Sequence, residues 1–137
     1  MPKISVIVPI YGVEQYIERC AVHLFEQSLD DIEYIFVDDC TKDNSMYILQ
    51  TVIERYPHRQ RQIHIIHHDV NKGLSRARQT GVQTATGDYI AHCDSDDWVD
   101  TEMYEAMYNL AVQYDSDVVK CGHKIVTDTD VLRINDV

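Results

Sequence analysis

The sequence predicts an α/β fold in which a mostly parallel sheet lies between two layers of helices. Short, β-branched apolar runs alternate along the chain with segments whose apolar residues recur at helical spacing, which is typical of alternating strands and helices. The runs are nearly continuous in apolar residues, as expected for parallel strands buried on both faces. With 137 residues, 45% of them hydrophobic and 26% charged, the chain has the size and composition of one globular domain.

Four apolar runs predict the strands of the sheet, at residues 4–9, 34–37, 63–66 and 89–91. The first run is closed by Pro9, and the second leads directly into Asp38 and Asp39. A fifth, short strand is predicted at residues 118–119, and the tail at residues 127–137 has a weak strand pattern.

Apolar residues at helical spacing predict four helices, at residues 15–28, 48–56, 75–84 and 103–114. The first pattern fades between Ser28 and Asp31, and the second stops before Pro57. We interpret the methionine and tyrosine stripe of the fourth helix as core residues. Strands and helices therefore alternate through most of the chain.

Charge and cysteine content exclude several classes of function. A formal net charge of -11 disfavours nonspecific binding to nucleic acid or to an anionic membrane surface. The four cysteines are widely spaced without a C-x-x-C pair, which indicates reduced thiols in a cytosolic setting and argues against zinc. The start of the chain leads at once into a short strand and lacks the length of a signal peptide or membrane span, so we expect a cytoplasmic protein.

An acidic cluster, Asp94-Ser95-Asp96-Asp97, follows the fourth predicted strand. Three carboxylates in four residues repel one another unless water or a cation screens them, because like charges raise each other's pKa. Ligands of open α/β sheets usually bind at the carboxyl ends of the strands. The sequence therefore predicts a hard divalent cation here, carrying a substrate phosphate.

Other polar residues follow the remaining predicted strands, and parallel strands would bring them to the same edge. Tyr11 offers an aromatic face for a base, and Asp39 offers an acceptor for the imino proton of a pyrimidine. Alternatively, Tyr11 is an ordinary loop residue and the Asp38–Ser45 segment is a turn that caps a helix through Asn44 or Ser45. Both interpretations of the segment are compatible, since one residue can cap while Asp39 binds.

The segment from Asn71 to Arg78 begins the third predicted helix and holds the basic cluster nearest to these residues. Glycine lets a backbone approach a ligand, a helix amino end favours anions, and basic side chains contact phosphate. Arg76 and Arg78 point about 200° apart on a helix and cannot both face one ligand, so we favour Lys72, Gly73 and Arg78. The alternative is a solvated basic turn.

The histidines near the third strand do not form a metal site in this prediction. His64 and His67 are an odd number of residues apart on a strand and lie on opposite faces. We interpret them and His68 as packing or loop residues.

Four ordered segments, at residues 6–11, 37–45, 71–81 and 87–98, strongly resemble family 2 glycosyltransferases, and the resemblance extends from Lys3 to Gly122. It implies the GT-A fold, a three-layer arrangement with a Rossmann-like sheet. It also implies that residues 1–137 form one nucleotide-sugar-binding domain that ends before the acceptor-binding part. The resemblance implies that Pro9, Tyr11 and Asp39 hold the nucleoside and that Asp94, Asp96 and Asp97 form a DxD-type motif, with Asp96 or Asp97 as the metal ligand. With the residues favoured above, the predicted nucleotide-binding set is Pro9, Tyr11, Asp39, Lys72, Gly73, Arg78, Asp94, Ser95 and Asp96.

The resemblance implies transfer of a sugar, from UDP in the first instance, to a glycan or lipid-linked acceptor with Mn²⁺ or Mg²⁺ as cofactor. Such enzymes usually invert the anomeric centre with a carboxylate general base, which we expect to lie beyond Val137. Gln79 stands where the family most often has asparagine, a minor departure. The full-length protein is expected in the cytoplasm, either free or at the cytoplasmic face of a membrane.

Three alternatives remain at this point. A response-regulator receiver and a haloacid-dehalogenase-type phosphatase also place acids after strands, but the order and neighbours of the acids differ. The third is a catalytically incomplete nucleotide-sugar-binding module of a larger enzyme.

Overall fold

The computed structural model describes residues 1–126 and 131–135 and divides into two compact units, Met1–Tyr104 and Glu105–Val137. The strands of the first unit are β1 (Ile4–Ile10), β2 (Ile32–Asp38), β3 (Ile63–His67) and β4 (Tyr89–His92). Its helices are α1 (Ile17–Phe25), α2 (Ser45–Glu54) and α3 (Leu74–Thr84), with a short 3₁₀ helix at Pro57–Gln62. Helix α4 (Met103–Tyr114) crosses into the second unit, which also contains the antiparallel pair β5 (His123–Val126) and β6 (Val131–Asn135).

The four strands of the first unit form a parallel sheet in the order β3-β2-β1-β4. All residues of β1 and β2 are buried, as their continuous apolar runs predict for central strands. The crossovers that a parallel sheet requires are supplied by the helices, so the predicted alternation is confirmed.

Helices cover both faces of this sheet. The ring of Phe25 on α1 lies 5.2 Å from that of Tyr34 and 6.0 Å from that of Phe36, centroid to centroid. Ile35 packs with Ala77 of α3 instead. Because side chains alternate along a strand, α1 and α3 lie on opposite faces of β2, which confirms the predicted three-layer α/β fold.

The interior contains two polar anchors that the hydrophobic pattern does not indicate. The carboxylate of Glu33 accepts hydrogen bonds from Ser5 Oγ at 2.8 Å and from the backbone and hydroxyl of Thr86, both at 2.9 Å. Burial alone would raise the pKa of Glu33, but these donors lower it. Arg59 is buried and donates to four backbone carbonyls, those of Phe25, Gln27, Leu29 and Asp30.

The prediction of a strand at residues 118–119 is wrong, because neither residue lies in a strand. Helix α4 ends at Tyr114, the next residue, Asp115, has a φ of 49°, and Val118 beyond it is 74% exposed. An apolar pair without a partner strand buries too little surface to order a strand, and β5 begins later, at His123. The weak strand pattern of the tail coincides with β6, while residues 127–130 and 136–137 lie outside the described residues.

In the part of the chain that the structure describes, no helix is both long enough and apolar enough to cross a membrane.

Candidate functional site

The carboxyl ends of the four parallel strands meet at one edge of the sheet, as expected. The register pairs Ile10 of β1 with Asp38 of β2, and Asp38 with His67 of β3. On the other side, β4 pairs with β1 and leads into Asp94. Residues far apart in sequence are therefore neighbours along this edge. A recess of about 240 Å³, lined in part by Glu33 and His64, lies at the opposite, amino edge of the sheet, away from Asp39 and the acidic cluster.

Asp39, directly after β2, is a buried carboxylate whose oxygens bind three donors. Oδ1 lies 2.8 Å from His68 Nδ1 and accepts the Lys72 backbone N–H at 2.8 Å, while Oδ2 accepts the Gly73 N–H at 2.9 Å. Burial would raise the pKa of Asp39, but these hydrogen bonds outweigh it and hold the pKa below its usual value. Asp39 is therefore an ionised acceptor that also fixes the start of α3.

His68 joins Asp39 to α3. Its side chain is 5% exposed, and its Nε2 lies 2.8 Å from Thr80 Oγ1 on the second turn of that helix. From the sequence, His68 is predicted to be a packing or loop residue, and Thr80 has no predicted role. The available signal was the position of His68 just beyond a strand whose neighbour ends in acids.

The loops after β1 and β2 are tied together by hydrogen bonds around Asp43. Its Oδ1 accepts from Thr41 Oγ1 at 2.7 Å and from Ser45 Oγ and N at 2.6 and 3.1 Å. Burial would raise the pKa of Asp43, but these donors lower it to about 2. The predicted capping by Asn44 or Ser45 is wrong: neither side chain caps α2, and the carboxylate of Asp43 accepts the Ser45 amide instead.

The same hydrogen bonds position the loop that carries Tyr11. Gly12, with a φ of 65°, donates its N–H to Thr41 Oγ1 at 2.9 Å, and Val13 donates to Ser45 Oγ at 3.1 Å. Tyr11 is 53% exposed, while Pro9 lies within the buried strand β1. The aromatic face of Tyr11 is thus available at the edge of the sheet.

The acidic cluster at the end of β4 brings three carboxylates together. One oxygen from each of Asp94, Asp96 and Asp97 lies within 4.8 Å of the others, and the backbone turns so that Asp97 N donates to Asp94 O at 3.0 Å. Ser95 is buried in this turn, whereas Asp96 and Asp97 are exposed. Burial and the charges of Asp96 and Asp94 raise the pKa of Asp97, with Arg19 opposing them.

These residues fit a divalent cation. Hard cations such as Mg²⁺ and Mn²⁺ prefer carboxylate oxygens, and this cluster supplies them at one exposed turn. A cation there would also remove the repulsion that raises the pKa of Asp97.

Arg78 on α3 is the basic side chain that meets this cluster. Its Nη2 donates to Asp94 Oδ1 at 2.9 Å, and its buried Nε has no hydrogen-bond partner within residues 1–126. Lys72 contributes a backbone amide to Asp39, and its side chain is exposed. Helix α3 thus contacts Asp39 through Gly73 at its first turn and the acidic cluster through Arg78.

The acidic turn contacts two cysteines, and the tryptophan beside it contacts an arginine. The sequence alone predicts no role for these four residues. The buried Sγ atoms of Cys20 and Cys93 lie 4.0 Å apart, and both contact the Asp94 carbonyl. The guanidinium of Arg19 lies 3.7 Å from the centre of the Trp98 ring. These contacts link α1 to the turn, and only a fold in three dimensions brings them together.

Comparison with known proteins identifies relatives of the chain. The family model described as glycosyl transferase family 2 matches residues 5–135. The uncharacterized glycosyltransferase EpsJ of Bacillus subtilis is 43% identical over 122 residues, which is 89% of this chain and 34% of EpsJ. This chain thus spans about a third of that relative's length.

Two solved structures have the same fold. The crystal structure of S. aureus TarS 1-349 in complex with UDP matches with a TM-score of 0.75 at 26% identity, covering 84% of this chain and 33% of that one. The mannosyltransferase PcManGT from Pyrobaculum calidifontis, in complex with GDP-Man and Mn²⁺, matches with a TM-score of 0.72 at 24% identity, covering 88% of this chain and 34% of that one.

Proposed function

The chain belongs to glycosyltransferase family 2, and from this premise we propose that it holds the nucleotide-sugar donor of a sugar transfer. The donor is a UDP-sugar, and the acceptor is a hydroxyl group of a glycan or lipid-linked molecule of the kind elongated in polysaccharide biosynthesis. The single observation that carries this proposal is the cluster of Asp94, Asp96 and Asp97 at the carboxyl end of a parallel strand.

Each part of the edge has a role in this proposal. Tyr11 and Asp39, with Pro9 behind them, bind the nucleoside. Arg78 and the exposed side chain of Lys72, beside Gly73 at the amino end of α3, contact the diphosphate, because basic groups favour anions. Asp94, Ser95 and Asp96 contact the ribose and diphosphate, and Asp96 and Asp97 are the metal ligands.

The cofactor in this proposal is Mn²⁺ or Mg²⁺, which acts when bound as a Lewis acid on the leaving diphosphate. The carboxylates of the chain hold the cation in place, and Arg78 neutralises phosphate charge beside it. The bond between the anomeric carbon and the diphosphate breaks as the acceptor oxygen bonds that carbon from the opposite side, which inverts the centre. A carboxylate base takes the acceptor proton, and we assign that base to none of the described residues.

Two observations support uracil as the base of the nucleotide sugar. The relative in complex with UDP is 26% identical to this chain, and Asp39 presents an ionised acceptor at the same edge as the acidic cluster. An imino N–H of uracil is a donor suited to a carboxylate.

Titration calorimetry with UDP tests this proposal. We expect binding in excess Mn²⁺, and loss of about tenfold or more in affinity with EDTA or in Asp96→Ala, because the phosphates then meet unscreened carboxylates. Asp100→Ala, which removes an exposed acid a few residues away, is the matched control and should bind as the parent does. Binding that is independent of metal, or unchanged in Asp96→Ala, would contradict the metal-bridged site.

The second candidate is a nucleotide-sugar-binding module without catalysis of its own, and it is favoured by the coverage of 34% of EpsJ. Both candidates predict the same nucleotide binding. Transfer of radiolabelled sugar from UDP-sugars to a panel of glycan acceptors separates them, since product formed by this chain would exclude the binding-only module.

A further inference from the structure

We propose that His68 and Thr80 are positioning residues that set the base selectivity of the nucleotide site. They act through Asp39 and leave it one acceptor position, which matches a base that offers a single N–H. This inference rests on the proposed function and names two residues to which the sequence motifs assign no role.

Three hydrogen-bond donors of the chain bind the Asp39 carboxylate. A carboxylate has about four acceptor positions, two on each oxygen. Oδ1 is occupied by His68 Nδ1 and by the Lys72 amide, and Oδ2 by the Gly73 amide. One position therefore remains, on Oδ2.

The bases differ in how well they match this one position. Uracil presents one imino N–H between two carbonyl oxygens and needs one acceptor. Guanine presents two adjacent N–H groups and needs two acceptors side by side, which Asp39 cannot supply while His68 and Lys72 occupy Oδ1. Cytosine has an unprotonated ring nitrogen at the corresponding position, and a carboxylate repels it.

The hydrogen bond between His68 and Asp39 has a fixed direction. Because an ionised carboxylate only accepts, Nδ1 of the imidazole carries the proton that points to Asp39. Nε2 of the same ring then faces the Thr80 hydroxyl at 2.8 Å, and a hydroxyl can donate to this nitrogen or accept from it. Asp39 therefore selects the tautomer of His68, and Thr80 holds the orientation of its ring, in the way that an outer partner orients a histidine ligand.

Burial makes this arrangement rigid. The side chains of His68 and Asp39 are 5% and 4% exposed, so water is a poor substitute for either partner. The three residues also come from different elements, since Asp39 follows β2, His68 follows β3 and Thr80 lies on α3. Losing the link would free Oδ1 and let the carboxylate rotate.

The test uses variants that remove one half of the link at a time. In His68→Asn the side-chain amide donor replaces Nδ1 but no longer reaches Thr80, and in His68→Gln it reaches toward Thr80 but not Asp39. Thr80→Val keeps the shape and removes the hydroxyl. His58→Asn, an exposed histidine on the 3₁₀ helix before β3, is the matched control.

Affinities for UDP, CDP and GDP are measured by calorimetry in excess Mn²⁺. The parent and His58→Asn should prefer UDP. In His68→Gln we expect UDP affinity to fall about tenfold, the factor typical of one lost charge-assisted hydrogen bond, while GDP affinity falls less or rises. His68→Asn and Thr80→Val should narrow the preference in the same direction, by a few-fold.

The outcomes separate this inference from the proposed function. A parent chain that binds no nucleotide with Mn²⁺ would overturn both. A parent that binds UDP without preference over GDP, or variants that lose equal affinity for all three nucleotides, would overturn only the role of His68 and Thr80. If His68→Gln fails to melt cooperatively, Thr80→Val still decides the matter, because an unchanged UDP to GDP ratio there contradicts the inference.

Discussion

Two acidic regions at the carboxyl edge of the sheet are built in opposite ways. The carboxylate of Asp39 is buried and bound by three donors, and its pKa is lowered. In the cluster at the end of β4, Asp94 pairs with Arg78, while burial and the neighbouring charges of Asp96 and Asp94 raise the pKa of Asp97. The chain itself supplies the partners of the first region, whereas the second keeps like charges close together, which fits the cation that we propose for it.

This difference predicts opposite contributions of the two regions to the stability of the chain without ligand. A carboxylate that accepts several hydrogen bonds stabilises the loops that donate them. A carboxylate beside like charges lowers the free energy of unfolding as long as no cation screens the repulsion. Stability measurements on single variants therefore distinguish the two regions without any assumption about the molecule that accepts the sugar.

The largest effect should come from Asp39→Asn. The substitution removes the charge and places an NH₂ group where one of the donors now binds, so we expect a loss of about 3 kcal/mol in the free energy of unfolding. The matched change in the other region, Asp97→Asn, should leave stability unchanged or raise it by up to about 1 kcal/mol, because it relieves repulsion. Urea denaturation followed by circular dichroism measures both, and equal losses would remove the distinction between the regions.

Addition of metal should produce the next largest effect, and in the second region only. At 100 times its dissociation constant, Mn²⁺ should stabilise the chain by about 2.7 kcal/mol by mass action, with EDTA reversing the gain. Asp97→Asn should lose most of this stabilisation, and the control Asp100→Asn should keep it. A full metal response in Asp97→Asn would show that the cation binds elsewhere.

These two regions also differ in how well the sequence predicts them. The acidic cluster is contiguous, so the sequence alone points to the three carboxylates that the structure brings within 4.8 Å of one another, and the cation there stays a prediction. The alternation of strands and helices likewise predicted the sheet. The short pair at residues 118–119 failed because local β propensity says nothing about a partner strand.

The surroundings of Asp39 depend on contacts between distant segments. His68 follows a different strand and Thr80 lies on a helix, and no local pattern connects either with Asp39. The capping of α2 failed as a prediction for a related reason. The Ser45 hydroxyl donates to Asp43 and accepts from the Val13 amide of another loop, so it is engaged in contacts that the local capping pattern does not include.

Acid should weaken the hydrogen-bonded loops through Asp43. Its folded pKa of about 2 lies below the usual 3.8, so its contribution is fully present above about pH 4 and is lost as the pH falls toward 2. After allowance for solvent screening we expect about 1 kcal/mol over this window. Asp43→Asn should show a shallower decline in unfolding free energy between pH 4 and 2 than the parent, and parallel curves would contradict the assignment.

The smallest effect on stability should come from substitution of Arg78. This residue pairs with Asp94 in the structure and is also the proposed phosphate contact. The Arg78–Asp94 pair is half exposed, with side chains 38% and 45% accessible, so Arg78→Gln should cost at most about 0.5 kcal/mol in unfolding free energy. Its effects on ligands should have opposite signs. Asp94 is released from its ion pair, which should strengthen binding of Mn²⁺ alone a few-fold, whereas UDP in the presence of Mn²⁺ should bind several-fold more weakly because a phosphate partner is lost.

Arg78→Lys provides the control for charge in this last experiment. It keeps the cation but loses the planar, paired donors, so it should fall between the parent and Arg78→Gln in both titrations. Calorimetry with Mn²⁺ alone and then with UDP measures both signs on one sample. Weaker binding of Mn²⁺ alone in Arg78→Gln would mean that the arginine supports the acidic cluster as part of the fold, and the contrast between the two regions would then be one of degree.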